Sequence, residues 1–292
     1  MAQLRILVTG AEGFLGRHVV AAVRAAGHLA CTTARNAGDA AVDLAAPGMV
    51  SAVVEALQPD VVLHLAAMSR MDQCGRDPAA AEQVNGWLAA EFARRFGARL
   101  MFTSTDLVFD GQGAPYAEDA TPAPLSAYGL SKVNGEQHVR AHGGRVVRLP
   151  LLFGPEGPRI EASGSAAHDL DAVVQQYGPF GRGATGALRR AAAAEEASSW
   201  FTNEYRTPLH VADAARALVD FVVDPDGPNM FHLPGPERVS RWELAQRFCA
   251  LQGLSREALQ PSECHDANRP RDVSLLGGWR AERSLDDMLL DS

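Results

Sequence analysis

Short apolar segments alternate with amphipathic segments along the first half of the chain. Apolar runs cover residues 4–8, 29–33, 60–67, 98–105 and 144–150, and each has the length and composition of a strand that is buried on both faces. Helical patterns lie between them at residues 17–26, 49–57, 79–96 and 127–142. This alternation predicts an α/β fold, a doubly wound parallel sheet with helices on both faces.

The alternation ends after residue 154. Residues 155–200 are rich in Gly, Ala and Ser, whereas residues 209–223 again have the pattern of an amphipathic helix and residues 229–233 that of a strand. Ser240 and Glu243 match a capping box that begins a further helix. We therefore expect a dinucleotide-binding domain from residues 1–154 and 201–232, with a smaller substrate-binding lobe from residues 155–200 and 233–292 over the carboxyl ends of the strands.

Composition and charge exclude several classes of protein. The net charge is −8 and the basic residues form no run, which argues against nucleic acid as a partner. No apolar run reaches the roughly 18 residues that a membrane helix needs. The chain has four cysteines with no paired spacing, Cys31, Cys74, Cys249 and Cys264, so neither a metal site nor a disulfide framework is indicated. Reduced thiols are typical of the cytoplasm, and we therefore expect a cytoplasmic protein.

A glycine-rich turn joins the first predicted strand to the first helix. In TGAEGFLG, Gly10, Gly13 and Gly16 have a GxxGxxG spacing, with Phe14 and Leu15 inside it. Such a turn lets backbone amides and the positive end of the helix approach a pyrophosphate. A plain tight turn is the alternative, but the position between strand and helix predicts a dinucleotide site.

The residue after the second predicted strand bears on the choice of cofactor. NAD sites usually present an acidic residue there, which binds the ribose hydroxyls. In this chain the position holds Arg35, and the nearest acid, Asp39, lies further along. A guanidinium would attract a 2′-phosphate, so we expect NADP, with NAD as the alternative.

Lysine is almost absent from the chain. Among 27 lysines and arginines, Lys132 is the single lysine, and it follows Tyr128 by four residues. On a helix the two side chains project from one face. A compact ammonium can bond ribose hydroxyls and lower the pKa of a phenol, so the pair predicts catalysis rather than a solvated helix face.

Five motifs follow one another in a fixed order: the glycine turn, HLAA at 64–67, VN at 84–85, TSTDLVFDG at 103–111 and YGLSK at 128–132. In this order they resemble the extended short-chain dehydrogenase/reductase family. The strings STDLVFDG, YAEDATPAPLSAYGLSK and RPRDVSLL are similar to its dTDP-4-dehydrorhamnose reductase branch, which also includes the regulatory β subunit of methionine adenosyltransferase.

The resemblance implies a Rossmann fold and a set of site residues. Thr105, Tyr128 and Lys132 would be the catalytic triad, in which Tyr128 protonates a carbonyl oxygen while Thr105 bonds the same oxygen. The cofactor would also contact residues outside the glycine turn: Asp43 and Leu44 along the adenine, and Leu65, Ala66 and Ala67 along the ribose and phosphates.

Substrate recognition is expected from arginines, because a guanidinium can bind a diphosphate in a bidentate manner, which suits a nucleotide sugar. Arg206 and Arg269 lie in family-like strings and are the stronger candidates, together with Asp106 beside the catalytic threonine. Leu107 stands where dehydratases of the family have a second acid, which disfavours dehydration. Weaker candidates are the other arginines of the variable half: Arg159, Arg182, Arg189, Arg190 and Arg271.

Three functions remain open from the sequence. The first is an NADP-dependent reductase of a keto sugar, and the second is a nucleotide-sugar epimerase with tightly bound NAD. The third is a non-catalytic NADP-binding regulatory or structural subunit. The intact set of Thr105, Tyr128 and Lys132 favours catalysis over the third function, and the reductase is the first choice between the two enzymes. We expect a small-molecule substrate as the partner and leave a homodimer open as the assembly state.

Overall fold

A computed structural model describes residues 2–158, 160, 183–194 and 197–292. Within these residues, seven strands form one sheet in the order β11-β6-β5-β4-β1-β2-β3, and every pairing in it is parallel. The strands are β1 (Arg5–Thr9), β2 (Leu29–Ala34), β3 (Ala40–Ala41), β4 (Val61–His64), β5 (Leu100–Thr105), β6 (Arg145–Leu149) and β11 (Met230–His232). The predicted doubly wound parallel sheet, a Rossmann arrangement, is confirmed.

Helices cover both faces of this sheet. They are α1 (Phe14–Ala25), α2 (Met49–Leu57), α3 (Met71–Arg76), α4 (Pro78–Glu82), α5 (Leu88–Phe96), α6 (Ala127–Ala141), α7 (Gly183–Ala194), α8 (Val211–Val223), α9 (Arg241–Leu251) and α10 (Leu285–Leu290). Short 3₁₀ turns follow α5 at Gly97–Arg99 and β5 at Asp106–Val108.

Successive side chains of the strands pack into two separate hydrophobic cores, one on each face of the sheet. Ile6 and Val8 pack with α1 and α8 in the first core cluster, whereas Leu7 packs with α2 and α5 in the second core cluster. This alternation follows from the two-residue period of a strand, because successive side chains point to opposite faces. Since both faces are covered by apolar helices, the strands read as continuous apolar runs in the sequence.

The predicted helix over residues 79–96 is interrupted. Asp77 caps α4 by accepting a hydrogen bond from the amide of Ala80 at 2.9 Å. A π-helical turn at Gln83–Trp87 then separates α4 from α5. The inserted residue of a π turn leaves no mark in the apolar periodicity, so the sequence pattern could not indicate it.

The C-terminal half adds three small pairs of strands beside the main sheet. β7 (Leu152–Phe153) pairs with β10 (Leu209–His210), and β8 (Ser198–Phe201) pairs with β13 (Leu259–Ser262), both in parallel. β9 (Tyr205–Arg206) pairs antiparallel with β12 (Val239–Ser240). The capping box is confirmed, because Ser240 and Glu243 exchange side-chain to backbone hydrogen bonds of 3.0 and 2.7 Å.

The C-terminal elements share their core with the sheet. Trp200, Leu244 and Phe248 belong to the same first core cluster as Ile6 and Val8. Much of the predicted second lobe, residues 161–182, lies outside the described residues, so the proposed division into two domains stays a prediction. In the described ranges, no helix has the length and apolarity of a membrane span.

Candidate active site

The carboxyl ends of β1, β2, β4 and β5 lie at one edge of the sheet because these strands are parallel. The glycine turn follows β1, Arg35 follows β2, and Leu65 to Ala67 follow β4. Thr105 is the last residue of β5. The dinucleotide motif and the first residue of the predicted triad therefore lie at the same edge of the sheet, where open parallel sheets bind their ligands.

The glycine turn is packed backbone against backbone. Gly10 has a φ of +65°, and a Cβ on it would lie 2.9 Å from the Cα of Ala66. A Cβ on Gly13 would lie 2.9 Å from the carbonyl oxygen of Gly10, and one on Gly16 would lie 2.7 Å from that of Ala11. Real Cβ atoms do not approach so closely, so all three positions require glycine.

The first turn of α1 faces this cradle without a side-chain cap. Its N-cap, Gly13, has no side chain, and the turn carries no acidic residue. The first amides of a helix have no partner within the helix and carry a partial positive charge. A pyrophosphate of a dinucleotide therefore fits the donors and the space at this turn.

The two apolar residues of the turn have different surroundings. The ring of Phe14 lies against Gly183 and makes an edge contact with His18, with ring centres 6.3 Å apart. Leu15 packs against the first core cluster. The side chain of Leu15 thus contributes to folding, and its expected contact with a cofactor is restricted to its backbone.

Thr9 fixes the segment that follows β4. Its hydroxyl oxygen accepts hydrogen bonds from the amides of Leu65 and Ala66, each at 3.1 Å. The same hydroxyl shares a hydrogen bond of 2.8 Å with Nδ1 of His64. Burial, with a smaller contribution from Lys132, lowers the pKa of His64 to about 3. The network holds the backbone of Leu65 and Ala66 beside Gly10, and Ala67 follows directly.

At the end of β2 the charge facing solvent is positive. Arg35 is exposed, whereas the carboxylate of Asp39 accepts hydrogen bonds from the amide and hydroxyl of Thr32 at 2.8 and 2.9 Å. The nearest acid is therefore turned back onto its own strand. Asp43 is exposed and bonds the amide of Ala45 at 3.0 Å, while the side chain of Leu44 is buried in the second core cluster.

Thr105 and Asp106 form a hydrogen-bonded pair at the end of β5. The Thr105 hydroxyl donates to Oδ1 of Asp106 at 3.1 Å and accepts the amide of Leu107 at 3.2 Å. Asp106 is only 4% exposed, and burial raises its pKa to about 6 despite the opposing charge of Arg206. Its second oxygen lies 3.6 Å from Nε of Arg206. The pair is therefore linked to a cation from β9.

The start of α6 brings Tyr128 to this pair. Ser126 caps the helix by accepting the amide of Gly129 at 3.1 Å, and Gly129 packs against the carbonyl of Leu107. Burial raises the pKa of the Tyr128 phenol, and the charge of Asp106 adds to the rise while the side chain of Thr105 opposes it. Lys132, which was expected to lower this pKa, is not among the groups that shift it in this structure.

Lys132 is buried one turn further along α6. The residue is 2% exposed, and its Nζ lies 4.0 Å from the centre of the Phe102 ring. Burial lowers the pKa of Lys132 to about 7, against the opposing charge of Glu136. Both carboxylate oxygens of Glu136 are bonded by Arg148, at 3.0 and 2.7 Å. Within the described ranges, no carboxylate forms an ion pair with this ammonium.

Two further residues border the triad. The side-chain oxygen of Asn85 accepts the amide of Met68 at 2.9 Å, and its amide group donates to Ser131 of α6 at 2.9 Å, so the π turn is tied to the helix of the triad. Cys74 of α3 is fully buried, its thiol donates to the carbonyl of Met68 at 3.2 Å, and burial raises its pKa, so it stays an uncharged thiol. Sequence reasoning missed Cys74, since nothing in its spacing sets it apart.

The two favoured arginines are engaged within the protein, and Arg206 is the one that lies beside Asp106. Arg206 is 6% exposed, and its guanidinium donates to the carbonyls of Tyr205 and Pro270 at 2.7 and 3.4 Å. Arg269 bonds both oxygens of the fully buried Glu204, at 2.7 and 3.0 Å. Their donors are thus largely shared with partners in the chain.

The weaker candidates lie apart from the triad or outside the description. Arg189 bonds Gln252 at 2.8 Å, and Arg271 donates to the carbonyl of Arg269 at 2.7 Å. Arg159 and Arg182 lie outside the described residues.

Sequence reasoning missed Arg241, the first residue of α9. Pairing of β9 with β12 brings it next to the Arg206 segment, and its amide donates to the carbonyl of Glu204 at 2.9 Å. Burial lowers the pKa of Arg241 to about 10, and repulsion from Arg206 adds to this. A signal existed in the sequence, because a basic residue directly after an N-cap opposes the helix dipole.

The comparisons with known proteins agree with this arrangement. Residues 4–162 match the family model described as RmlD substrate binding domain. Methionine adenosyltransferase 2 subunit beta of Pongo abelii is 33% identical over 93% of this chain and 80% of that protein. A dTDP-4-keto-6-deoxy-D-glucose reductase of Streptomyces niveus is 39% identical over 52% of this chain and 54% of its own length.

Solved structures share the fold over the whole chain. The dTDP-4-dehydrorhamnose reductase of Bacillus anthracis in complex with NADP has a TM-score of 0.82 at 21% identity, covering 99% of this chain and 98% of that one. A UDP-glucose 4-epimerase of Thermotoga maritima has a TM-score of 0.75 at 22% identity, covering 98% and 96%.

Proposed function

The chain belongs to the RmlD substrate-binding domain family, and from this membership we propose that it is an NADP-dependent reductase that acts on a keto sugar, with a nucleotide-linked sugar as the substrate. The family match confirms the resemblance that the five ordered motifs indicated. Both kinds of relative, the β subunit and the sugar reductase, were expected from that resemblance.

The observation that carries the proposal is the burial of Lys132 beside Tyr128 and Thr105. An ammonium that is removed from water without a carboxylate partner costs free energy, and here the cost lowers its pKa to about 7. A chain that otherwise uses arginine for positive charge keeps its single lysine at this position. Strain of this kind at a cleft is typical of a catalytic site.

The glycine turn and the end of β2 support NADP as the cofactor. The glycines leave room for a pyrophosphate, and Arg35 offers a cation where an NAD site offers an acid. Asp39 is hydrogen-bonded to Thr32 and so does not face the ribose. NAD remains the alternative, because Arg35 is exposed and, among the described residues, has no hydrogen bond or ion pair that would fix its side chain.

The side chains of the site divide the work of carbonyl reduction. When bound, the nicotinamide supplies a hydride to the carbonyl carbon. Tyr128 donates its proton to the carbonyl oxygen. Burial raises the pKa of this phenol and so makes it a weaker acid, which means that the step depends on a cation that stabilises the phenolate. The Thr105 hydroxyl donates to Asp106 in this structure, and it would turn its proton to the same carbonyl oxygen when the substrate is bound. The positive charge of Lys132 stabilises the phenolate that is left.

Asp106 fits reduction better than dehydration. Its Oδ1 accepts the Thr105 hydroxyl, and Leu107 provides no second acid. Removal of water from a sugar needs a paired acid and base, whereas carbonyl reduction needs one proton donor. We therefore assign to Asp106 the role of holding Thr105.

A regulatory subunit is the second candidate, because the β-subunit relatives match over 93% of the chain. In that role the same fold would bind a partner protein instead of turning over a substrate. The two candidates differ in a direct way: a regulatory subunit changes the activity of methionine adenosyltransferase, and a reductase consumes NADPH.

Incubation of the purified protein with NADPH and a dTDP-4-keto-6-deoxy sugar tests the proposal. We expect a loss of absorbance at the NADPH band with equimolar formation of the 4-hydroxy sugar, and a net consumption that an epimerase would not give. No consumption of NADPH, together with altered kinetics of added methionine adenosyltransferase, would favour the regulatory subunit.

We further propose that the protein is located in the cytoplasm, and its assembly into a homodimer is left open. The four cysteines are buried and free, which suits a reducing compartment.

A further inference from the structure

We propose that Arg241 binds the negatively charged group of the substrate, the diphosphate of a nucleotide sugar, while Arg206 and Arg269 hold the site in shape. The identity of the substrate in this inference rests on the proposed function. The anion site itself rests on the geometry of the three arginines and the two carboxylates, Glu204 and Asp106, which we call the arginine cluster.

Arg206 and Arg269 have few donors left for a ligand. The terminal nitrogens of Arg206 face the carbonyls of Tyr205 and Pro270, and its Nε faces Asp106 at 3.6 Å. Arg269 and Glu204 are joined by a bidentate ion pair. A ligand that took these donors would leave a buried carboxylate or carbonyl unpaired, which costs about 1–3 kcal/mol for each group.

Arg241 is held by its backbone and leaves its guanidinium available. Its amide donates to the carbonyl of Glu204, and the guanidinium carbon lies 5.4 Å from the ring centre of Trp200. Across the described ranges, the side chain of Arg241 makes no hydrogen bond and no ion pair. The residue as a whole is partly exposed, so it is not sealed inside the core.

The surroundings of Arg241 disfavour a positive charge for three separate reasons. Burial removes water from the guanidinium, Arg206 and Arg269 repel it, and the first turn of α9 adds the positive end of the helix dipole, while the charges of Glu204 and Asp106 offset only part of this. The cluster contains three guanidinium groups and two carboxylates, one of which, Asp106, has its pKa raised to about 6. An anionic group bound at Arg241 would offset all three effects.

The cluster lies next to the reacting groups. The positive charge of Arg241 lowers the pKa of Asp106, and Asp106 accepts the hydroxyl proton of Thr105. A diphosphate at Arg241 would therefore leave the sugar that it carries near Thr105 and Tyr128. This places the anion site where a nucleotide sugar requires it, at the end of the molecule remote from the carbonyl.

Calorimetric titration of dTDP into the NADP⁺-saturated protein tests the inference, since the cofactor then fills its own pyrophosphate site. We expect Arg241→Gln to weaken dTDP binding by roughly 10- to 100-fold, the loss typical of a hydrogen bond to a charged group. The matched control is Arg238→Gln, three residues earlier, whose guanidinium already pairs with Asp272 at 2.7 Å and is 48% exposed. This control should bind dTDP as the unchanged protein does.

Three results would overturn the inference: no binding of dTDP to the unchanged protein, equal binding to Arg241→Gln, or displacement of bound NADPH by dTDP. NADPH affinity and turnover, measured separately, report on the proposed function. If the protein bound dTDP through Arg241 but transferred no hydride, the anion site would stand and the reductase proposal would fail.

Discussion

The glycine turn and the cluster of Arg206, Arg241 and Arg269 with Glu204 and Asp106 are built in opposite ways. In the glycine turn, backbone touches backbone, so each of three positions accepts one residue type. In the arginine cluster, the same residue type occurs three times with three sets of contacts: Arg206 with carbonyls and Asp106, Arg269 with Glu204, and Arg241 with no acid.

The functional role of a residue can be inferred from its type in the glycine turn, but not in the arginine cluster. A glycine demanded by close approach is recognisable from its spacing and its place between strand and helix. An arginine acquires its role from partners that are remote in the chain, because Glu204 and Asp106 decide which guanidinium is engaged. Residues of one type in one small region can therefore be structural or ligand-binding.

The largest expected effect is a difference in stability between variants of two arginines of this cluster. Arg206→Gln should lower the free energy of unfolding by about 3 kcal/mol or more, because it leaves Asp106 and several carbonyls buried without their cation. Arg241→Gln should leave the free energy of unfolding unchanged or slightly higher, since it removes repulsion. Urea unfolding of the two variants measures this difference. Equal losses would remove the distinction between the two arginines.

The second effect concerns catalysis at the edge of the sheet. Tyr128→Phe should reduce kcat by roughly 100-fold or more, since it removes the proton donor and keeps the ring. Affinity for NADPH should stay the same. The control is Tyr116→Phe, which removes the hydroxyl of another tyrosine, bonded to Asp110 at 2.6 Å. A kcat for Tyr128→Phe equal to that of the control would rule out its catalytic role.

The third effect sharpens the account of the glycine turn. Gly16→Ala should destabilise the fold by about 1–3 kcal/mol and weaken NADPH binding, because the new methyl group meets two backbone carbonyls that cannot move independently. Gly75→Ala is the matched control, since a Cβ there meets nothing within 4 Å. Thermal unfolding and fluorescence titration with NADPH compare the two. Tolerance of alanine at Gly16 would contradict the packing argument.

The smallest effect concerns the choice between the two cofactors. Arg35→Asp should weaken NADP by roughly tenfold and leave NAD little changed, since an exposed charge contact is partly screened by solvent. Titration of both cofactors into the variant measures the ratio, and Arg24→Asp, at an exposed arginine near the end of α1, controls for the same change in net charge. An unchanged ratio of the two affinities would favour NAD.

The fold was largely predictable because the buried parallel strands are continuous apolar runs, and β1, β2, β4, β5 and β6 lie within two or three residues of their predicted bounds. The π turn at Gln83–Trp87 was not, because one inserted residue barely changes the periodicity. The short strands β7 to β10 were not predicted either, since their pairing depends on contacts between segments that are remote in the chain.

The candidate site was predictable where chemistry follows from local order. The glycines, Thr105, Tyr128 and Lys132 occur in recognisable strings, and the parallel sheet brings them to one edge. The protonation behaviour and burial of each group could not be predicted in this way. Burial, which no motif encodes, raises the pKa of Tyr128 and lowers that of Lys132. The core positions of Leu15 and Leu44 likewise follow from packing that the sequence does not specify.

The central claim is that the chain transfers a hydride to a keto sugar, and a single turnover with NADPH deuterated at the transferable position tests it most directly. The account predicts one deuterium on the former carbonyl carbon of a dTDP-4-keto-6-deoxy sugar, detected by mass spectrometry of the product. Bound cofactor that keeps its deuterium, with the sugar recovered unreduced, would contradict it.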